Sequence, residues 1–470
     1  MGLKEALHEP VVRASSLLPP WFTVPGPELQ TRGTSPTTAL SRRQFLRHTA
    51  IAATALGLPS VVPASALGAD GTVAPSGRIT LGFVGVGGRG EGLLRAFVGN
   101  PQAHVLAVCD AYADRQIRCK QIVDDHYGND ACARSGDYRE LLARADIDAV
   151  VIAAQDHWHA LIATAAAKAG KHLYCEKPLG VTYEESRAIR DAVRQAGIVF
   201  QTGTQQRSEG SFRRACELVR NGYVGKLHRV EVGAPGPSYR PSYRGSLDPQ
   251  PVPAGFDWEG WRGPAPRKPY NPGRVAWPDW YLIWDYCAGF IVNWGVHHLD
   301  IALWGCPELA QAPFELECRA NYRTEGFTDN ASGWRGTFSY ASGLQLLYTD
   351  DGKQESGCRF VGDEGWIRVD RPGIWAEPEG LLEIQLKPDD RPLHRSTNHG
   401  ADFLTAVRRR TAPVSDVETG HQATYFGQLA DVAARLRRPI KWDPRTETLT
   451  ESDDAARLLL RRPVQPPWRL

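Results

Sequence analysis

Arg78-Ile-Thr-Leu-Gly-Phe-Val-Gly-Val-Gly-Gly-Arg-Gly90 is the stretch whose reading decides the fold. Residues 79–84 are apolar or β-prone and read as a buried strand; Gly85, Gly87 and Gly90 then spell G-x-G-x-x-G, and a helix opens near Gly90. The first glycine of such a unit permits the tight turn and the second lets backbone approach a pyrophosphate. The third lets the helix pack on the strand, with its N-terminal N–H groups turned towards the phosphates. Gly88 and Arg89, inside the same turn, belong to the same candidate site. The motif alone is weak evidence, but its context strengthens it. A second apolar run, 104–109, ends in Asp110, 25 positions after Gly85, near the spacing of a carboxylate that hydrogen-bonds the adenosine ribose. Strand, glycine turn, helix and acid in that order favour a dinucleotide site over a glycine turn in an unrelated α/β domain.

Downstream, helical and strand patterns alternate to about residue 203, as in a parallel, doubly wound sheet. Helices are expected over 113–126, 138–144, 159–169 and 183–196, and strands over 148–154, 171–175 and 198–202. Ligands in such sheets sit at the carboxyl ends of the strands, which draws attention to Gln155-Asp-His-Trp-His159 and Glu176-Lys-Pro-Leu-Gly180.

The chain has 470 residues and is 42% hydrophobic, enough for a large core and for two domains rather than one. Its 55 Lys+Arg against 53 Asp+Glu leave +2, so charge argues for neither nucleic acid nor a membrane surface as partner. No apolar run reaches the ~18 residues of a membrane span. Nine singly scattered cysteines, without C-x-x-C, suggest buried thiols rather than a zinc site or a disulfide framework.

Residues 1–77 read as a leader. The first 40 are rich in Pro, Ser and Thr without periodicity and are expected to be disordered. Ser41-Arg42-Arg43-Gln44-Phe45-Leu46 then resembles a twin-arginine export signal, followed by an apolar segment at 50–58 and small residues at 63–66 for a signal peptidase. The expectation is delivery by the twin-arginine export machinery to the periplasm, without stable membrane insertion.

From about Ile79 to Trp468 the sequence resembles the glucose–fructose oxidoreductase, inositol dehydrogenase and rhizopine-catabolism family (Gfo/Idh/MocA). The resemblance is carried by Glu176-Lys-Pro178, His157-Trp-His159, Gln201-Thr-Gly-Thr-Gln-Gln-Arg-Ser208, Asp257-Trp-Glu-Gly-Trp-Arg-Gly-Pro-Ala-Pro266 and Asn293-Trp-Gly-Val-His-His-Leu-Asp300. It implies an N-terminal Rossmann domain (78–203) and a C-terminal α+β domain (204–470) with a large open, mainly antiparallel sheet. It also implies NAD(H) as cofactor and an oxidoreductase acting on a sugar, cyclitol or glycoside hydroxyl. Gln155, His157, Trp158, His159 and Glu176 join the glycine turn and Asp110 as expected cofactor contacts. Lys177 is expected to touch the reacting hydroxyl beside the nicotinamide, with a cis bond before Pro178. A partly desolvated lysine near an NAD⁺ ring has its pKa pushed down, which suits that use.

In the second half, residues 211–220 read as a helix, 226–233 as the first strand of a new sheet, and 235–281 as an insertion folded over the cleft. Six of the 14 tryptophans, at 258, 261, 277, 280, 284 and 294, lie in or just after it; a satellite core is the expectation for most, sugar stacking the alternative. Residues 293–303 read as an amphipathic helix with Asn293, His297 and Asp300 on one face and His298 turned about 100° away. The resemblance makes His297 the residue that helps take the hydroxyl proton, commonly with an aspartate where this chain has Asn293. A neutral amide can orient but cannot hold charge, so the proton route must differ here. His157, His159, His297 and His298 raise the question of a metal, but no ligand spacing such as H-E-x-x-H accompanies them. Short β-patterned runs over 314–369 and helices at 401–410 and 417–436 complete the domain. The exposed sheet face is expected to be covered by subunit pairing, in a homodimer or homotetramer.

Two rivals stay open: a redox-neutral lyase, epimerase or NAD-dependent glycosidase that removes hydride transiently, and a non-catalytic sugar-binding protein. Export and cofactor together favour NAD(H) held tightly.

Overall fold

The computed structural model describes residue 74 and residues 77–234, 241–350 and 354–470. The arginine pair at 42 and 43 and the segment behind it lie outside the described residues, as do residues 235–240 of the insertion. No helix among the described residues is long and apolar enough to cross a membrane.

Strands β1 (Ile79–Val84), β2 (Ala103–Cys109), β3 (Ala133–Ser135), β4 (Ala149–Ile152), β5 (His172–Cys175) and β6 (Phe200–Thr202) form a parallel sheet in the order β3-β2-β1-β4-β5-β6. Strand order reverses between β1 and β4, which opens the crevice at their carboxyl ends where a dinucleotide lies. Every residue of β4 is buried, as expected for a parallel strand covered by helices on both faces. Helices Gly88–Val98, Ala113–Tyr127, Asp156–Lys168 and Tyr183–Ala196 supply that cover. The last begins where Glu185 accepts from the Val181 N–H at 2.6 Å and ends at Gly197 with φ +62°, the left-handed stop that glycine tolerates.

The second sheet is built from β7 (Leu227–Gly233), β8 (Phe314–Tyr322), β9 (Ala331–Tyr340), β10 (Gln345–Thr349), β11 (Gly357–Gly362), β12 (Gly365–Asp370), β13 (Gly373–Glu377), β14 (Ile440–Asp443) and β15 (Thr448–Leu449). Its order is β13-β12-β11-β7-β10-β9-β8-β14-β15, antiparallel except where β7 pairs with β10. In β8, Phe314, Leu316 and Cys318 point inwards while Glu315, Glu317 and Arg319 face out. The inner face packs on helices Gly295–Gly305 and Val417–Leu436. The outer face carries charge, including the Arg229–Glu231 pair at 2.7 Å.

Three expectations change. Helix His399–Arg409 does not close the second domain: Phe403 packs edge-on against Phe97 and Tyr174, so the helix covers the first sheet. The helix read at 293–303 is two segments, Phe290–Asn293 and Gly295–Gly305, and the second is buried at every position rather than amphipathic. The helix expected from residue 159 starts at Asp156, which puts that carboxylate in its first turn.

Buried histidines tie the two halves together. His399 Nε2 donates to the Thr202 carbonyl at 2.8 Å, and Nδ1 shares a hydrogen bond with Ser208 Oγ at 2.9 Å. Burial pushes His399 down to about 4 and His157 to about 3, against 6.5 for an ordinary ring. Both rings stay neutral in the folded chain where the unfolded chain takes up protons, so stability is full above pH 6.5 and is lost as pH falls towards 4. The thermal midpoint should drop across that window, with a shallower slope in His399→Gln; a midpoint that stays level contradicts this.

Candidate active site

At the glycine turn, Gly85 has φ +82°, and a Cβ there would lie 2.5 Å from the Ala154 nitrogen; a Cβ on Gly90 would lie 2.0 Å from the Gly85 oxygen. Only glycine lets β1, β4 and the first helix approach this closely. A Cβ on Gly88 would meet nothing within 4 Å, so that backbone faces open space. Asp110 closes the turn from β2: its carboxylate accepts the Val86 N–H at 2.8 Å and the Tyr112 N–H at 3.0 Å, with Arg115 3.9 Å away. Burial pushes this carboxyl up while Arg115 and the two N–H groups oppose the rise.

A cavity of about 360 Å³ runs past Gly85, Asp110, Gln155 and Trp158, the place and polarity of an adenosine site. Its outer wall comes from far along the chain. Trp261 and Arg262 of the insertion line it, and the insertion is pinned by the Tyr112–Phe256 stack at 4.0 Å. Pro466, Pro467 and Trp468 line it too, with Trp468 edge-on to Trp158 at 4.8 Å and the Gln465 N–H donating to Pro264 O. Nothing in the local sequence pattern marks this tail as part of a site.

A second, contiguous cavity of about 660 Å³ is lined by Gly87, Gly88, Arg89, Gln155, Asp156, Glu176, Lys177, Asn293 and His297. The Lys177–Pro178 peptide is cis. Lys177 Nζ donates to Asn293 Oδ1 at 2.6 Å and to Asn293 O at 3.0 Å, spending two of its three N–H bonds. Burial pushes its pKa down, against the pull of Glu176 and Asp156. Tyr281 OH donates to the same Asn293 Oδ1 at 2.6 Å. The Asn293 amide N–H₂ in turn donates to both Asp156 oxygens, at 2.8 and 3.0 Å. The carboxylate missing at 293 is thus present one side chain back, at 156, and the amide passes its orientation on to Lys177.

His297 is buried, and its Nδ1 has no hydrogen-bond partner among the described residues. Burial first, then Lys177 and Arg371, hold it well below the ordinary range, so the ring is neutral and able to accept a proton. His298 faces Asp370 at 3.7 Å instead. Arg89 is held by Glu176 at 2.7 Å, and Gly203 leaves room for that carboxyl, since a Cβ there would sit 2.8 Å from it.

Two residues of the expected set are placed elsewhere. His157 faces the carbonyls of Tyr286 and Trp261, and His159 those of Pro178 and Ala154; both sit inside the wall and line neither cavity. Asp300, expected on one face with Asn293, lies in the second helical segment and pairs with Arg207 at 2.8 Å. Of the six tryptophans, Trp258 and Trp261 form a buried stack, while Trp277, Trp280 and Trp294 line the second cavity.

Residues 79–204 match the NAD-binding Rossmann fold of the Gfo/Idh/MocA oxidoreductases, and residues 211–470 match the family's C-terminal alpha/beta domain. The chain is 41% identical over 93 residues to the levoglucosan dehydrogenase of Pseudarthrobacter phenanthrenivorans, covering 20% of this chain and 24% of that enzyme. It is 29% identical over 206 residues to a glycosyl hydrolase family 109 protein of Saccharopolyspora erythraea, covering 40% and 44%. Each match spans less than half of the curated relative. The aldose-aldose oxidoreductase from Caulobacter crescentus complexed with glycerol superposes with a TM-score of 0.59 at 16% identity, over 77% of this chain and 99% of that one, which establishes a common fold.

Two outcomes follow from this geometry. NAD should bind more tightly than NADP, because a 2′-phosphate would be repelled by the Asp110 carboxylate; titration calorimetry giving NADP the equal or higher affinity contradicts this and points to Arg115 as the phosphate's partner. Asp156→Ala strands the Asn293 N–H₂ and should lower turnover roughly ten- to a hundredfold, in line with the ~1–3 kcal/mol of a buried unsatisfied donor, with NAD affinity unchanged; native turnover contradicts the relay.

Proposed function

We propose, from the premise that this chain belongs to the Gfo/Idh/MocA oxidoreductase family, that it oxidises or reduces a hydroxyl-bearing carbon of a sugar, cyclitol or glycoside. The observation that carries the reading is the meeting of Lys177, Asn293, Tyr281 and His297 in one cavity contiguous with the glycine turn. Bound NAD⁺ supplies the acceptor for the hydride leaving the substrate C–H. The third N–H of Lys177 is left for the substrate oxygen, where the ammonium stabilises alkoxide character. The hydroxyl proton goes to the His297 ring, which lines the cavity and whose depressed basicity keeps it unprotonated near neutral pH. Asn293 and Asp156 fix the lysine, and Tyr281 adds a second donor to the same amide oxygen.

A redox-neutral variant has its own support. The similarity to a glycosyl hydrolase family 109 protein suggests a route in which hydride leaves, an adjacent bond breaks and hydride returns to the same substrate. The twin-arginine-like pair at 42 and 43 points the same way. That route carries folded proteins, and little free NAD is available to rebind outside the inner membrane. The exported protein then keeps its NAD(H) and closes its redox cycle internally, by two coupled sugar half-reactions or by transient oxidation. The wall formed by Trp468 and its neighbours supports a retained cofactor.

Lys177→Met and His297→Ala should each lower turnover by about 10²–10⁴-fold with NAD retained; near-native turnover in both rejects the assignment. Washed, exported protein should release stoichiometric nicotinamide on denaturation, and Trp468→Ala should release it faster. Substoichiometric release with activity that depends on added NAD rejects the closed cycle.

A further inference from the structure

The reacting end of the second cavity has, besides Lys177, an exposed guanidinium that no carboxylate among the described residues pairs. Its two lining carboxylates are committed, Glu176 to Arg89 and Asp156 to the Asn293 amide. Arg115 lies over the Tyr112 ring beside Asp110. Arg371, just past the end of β12, remains. Its guanidinium carbon sits 4.6 Å from the Trp294 ring centroid, and no carboxylate among the described residues forms an ion pair with it. Asp370 accepts from the Arg371 backbone N–H at 2.7 Å and faces His298, and Glu209 feels the charge without pairing.

A guanidinium laid on an indole is held by its face, which leaves its in-plane N–H edge free for a planar, bidentate anion. The Trp294 ring beneath it is also 5.3 Å from the His297 ring, so cation and proton acceptor flank one indole within the span of a substituted pyranose. In the same cavity, Trp277 packs edge-on to Tyr281 at 4.8 Å, with Trp280 beside it. These indoles suit the apolar face of a sugar ring.

Building on the oxidoreductase reading of this cleft, we propose that the substrate is an acidic sugar, whose carboxylate or phosphate ester is held by Arg371 while Trp277 and Trp280 cover the ring. The anion takes no part in the chemistry and is unchanged by it. It fixes which hydroxyl reaches Lys177 and His297.

The test uses the full chain with its NAD retained, reading tryptophan fluorescence and calorimetry on titration with glucuronate, galacturonate, a hexose phosphate, and the neutral hexoses glucose and galactose. At least one anionic sugar should bind about tenfold or more tightly than its neutral parent, ~1.4 kcal/mol in binding free energy. Arg371→Gln should erase that preference, and Arg371→Lys should keep part of it. The hexuronate and phosphate arms tell the two anions apart. Equal binding of neutral and anionic sugars, a preference that survives in Arg371→Gln, or no binding of any anionic sugar at millimolar concentration overturns the proposal. Turnover of the same panel is measured separately: anion-selective binding without redox turnover rejects the oxidoreductase reading alone, and turnover of neutral sugars without anion preference rejects this one alone.

Discussion

A lysine ammonium packed into protein at the end of a parallel strand must be given oxygens, because desolvating an unpaired charge costs more than the fold can spare. Lys177 sits at the end of β5, and its oxygens come from Asn293, on the other domain. Asn293 must then satisfy its own amide, and Asp156, in the first turn of a helix of the dinucleotide domain, takes both N–H bonds. The chain of bonds crosses from one domain to the other and back, so the arrangement that solvates one charge also fixes the two domains at the cleft. His297 lies one helical turn past Asn293 and inherits that placement. The site is a consequence of where a buried cation finds its partners.

The same economy explains what was legible in the sequence and what was not. The glycine turn, β1, the acid at 110 and helices Tyr183–Ala196 and Val417–Leu436 depend on neighbours within a few turns, and periodicity or glycine geometry reports them directly. Lys177 and His297 were reachable through resemblance and helix phase. Asp156 was not, because it stands 137 positions from Asn293 and reads locally as one more polar residue at a strand end. Trp468 was hidden for the same reason. His157 and His159 show the converse: a motif beside a strand end looks like ligand-binding chemistry, yet both rings support the wall from inside. Asp300 missed the cavity because it belongs to the segment after Asn293 and is held by Arg207.

The two cavities also divide the work. The adenosine end is walled by distant segments that hold and exclude, while the reacting end gathers a lysine, a neutral histidine and exposed aromatic rings around open space. Holding at one end and chemistry at the other suit the cofactor retention proposed above. They also make the identity of the hydride acceptor separable from the identity of the substrate.

The central claim is that a substrate C–H placed beside Lys177 and His297 delivers its hydride to NAD held by the glycine turn. The direct measurement is isotopic: NAD-loaded protein is mixed with sugars deuterated at each carbinol carbon in turn, quenched within a single turnover, and the released nicotinamide is weighed by mass spectrometry. The account predicts deuterium on the nicotinamide from one carbinol position, and none from any position in Lys177→Met. Unlabelled nicotinamide alongside formed product would contradict it.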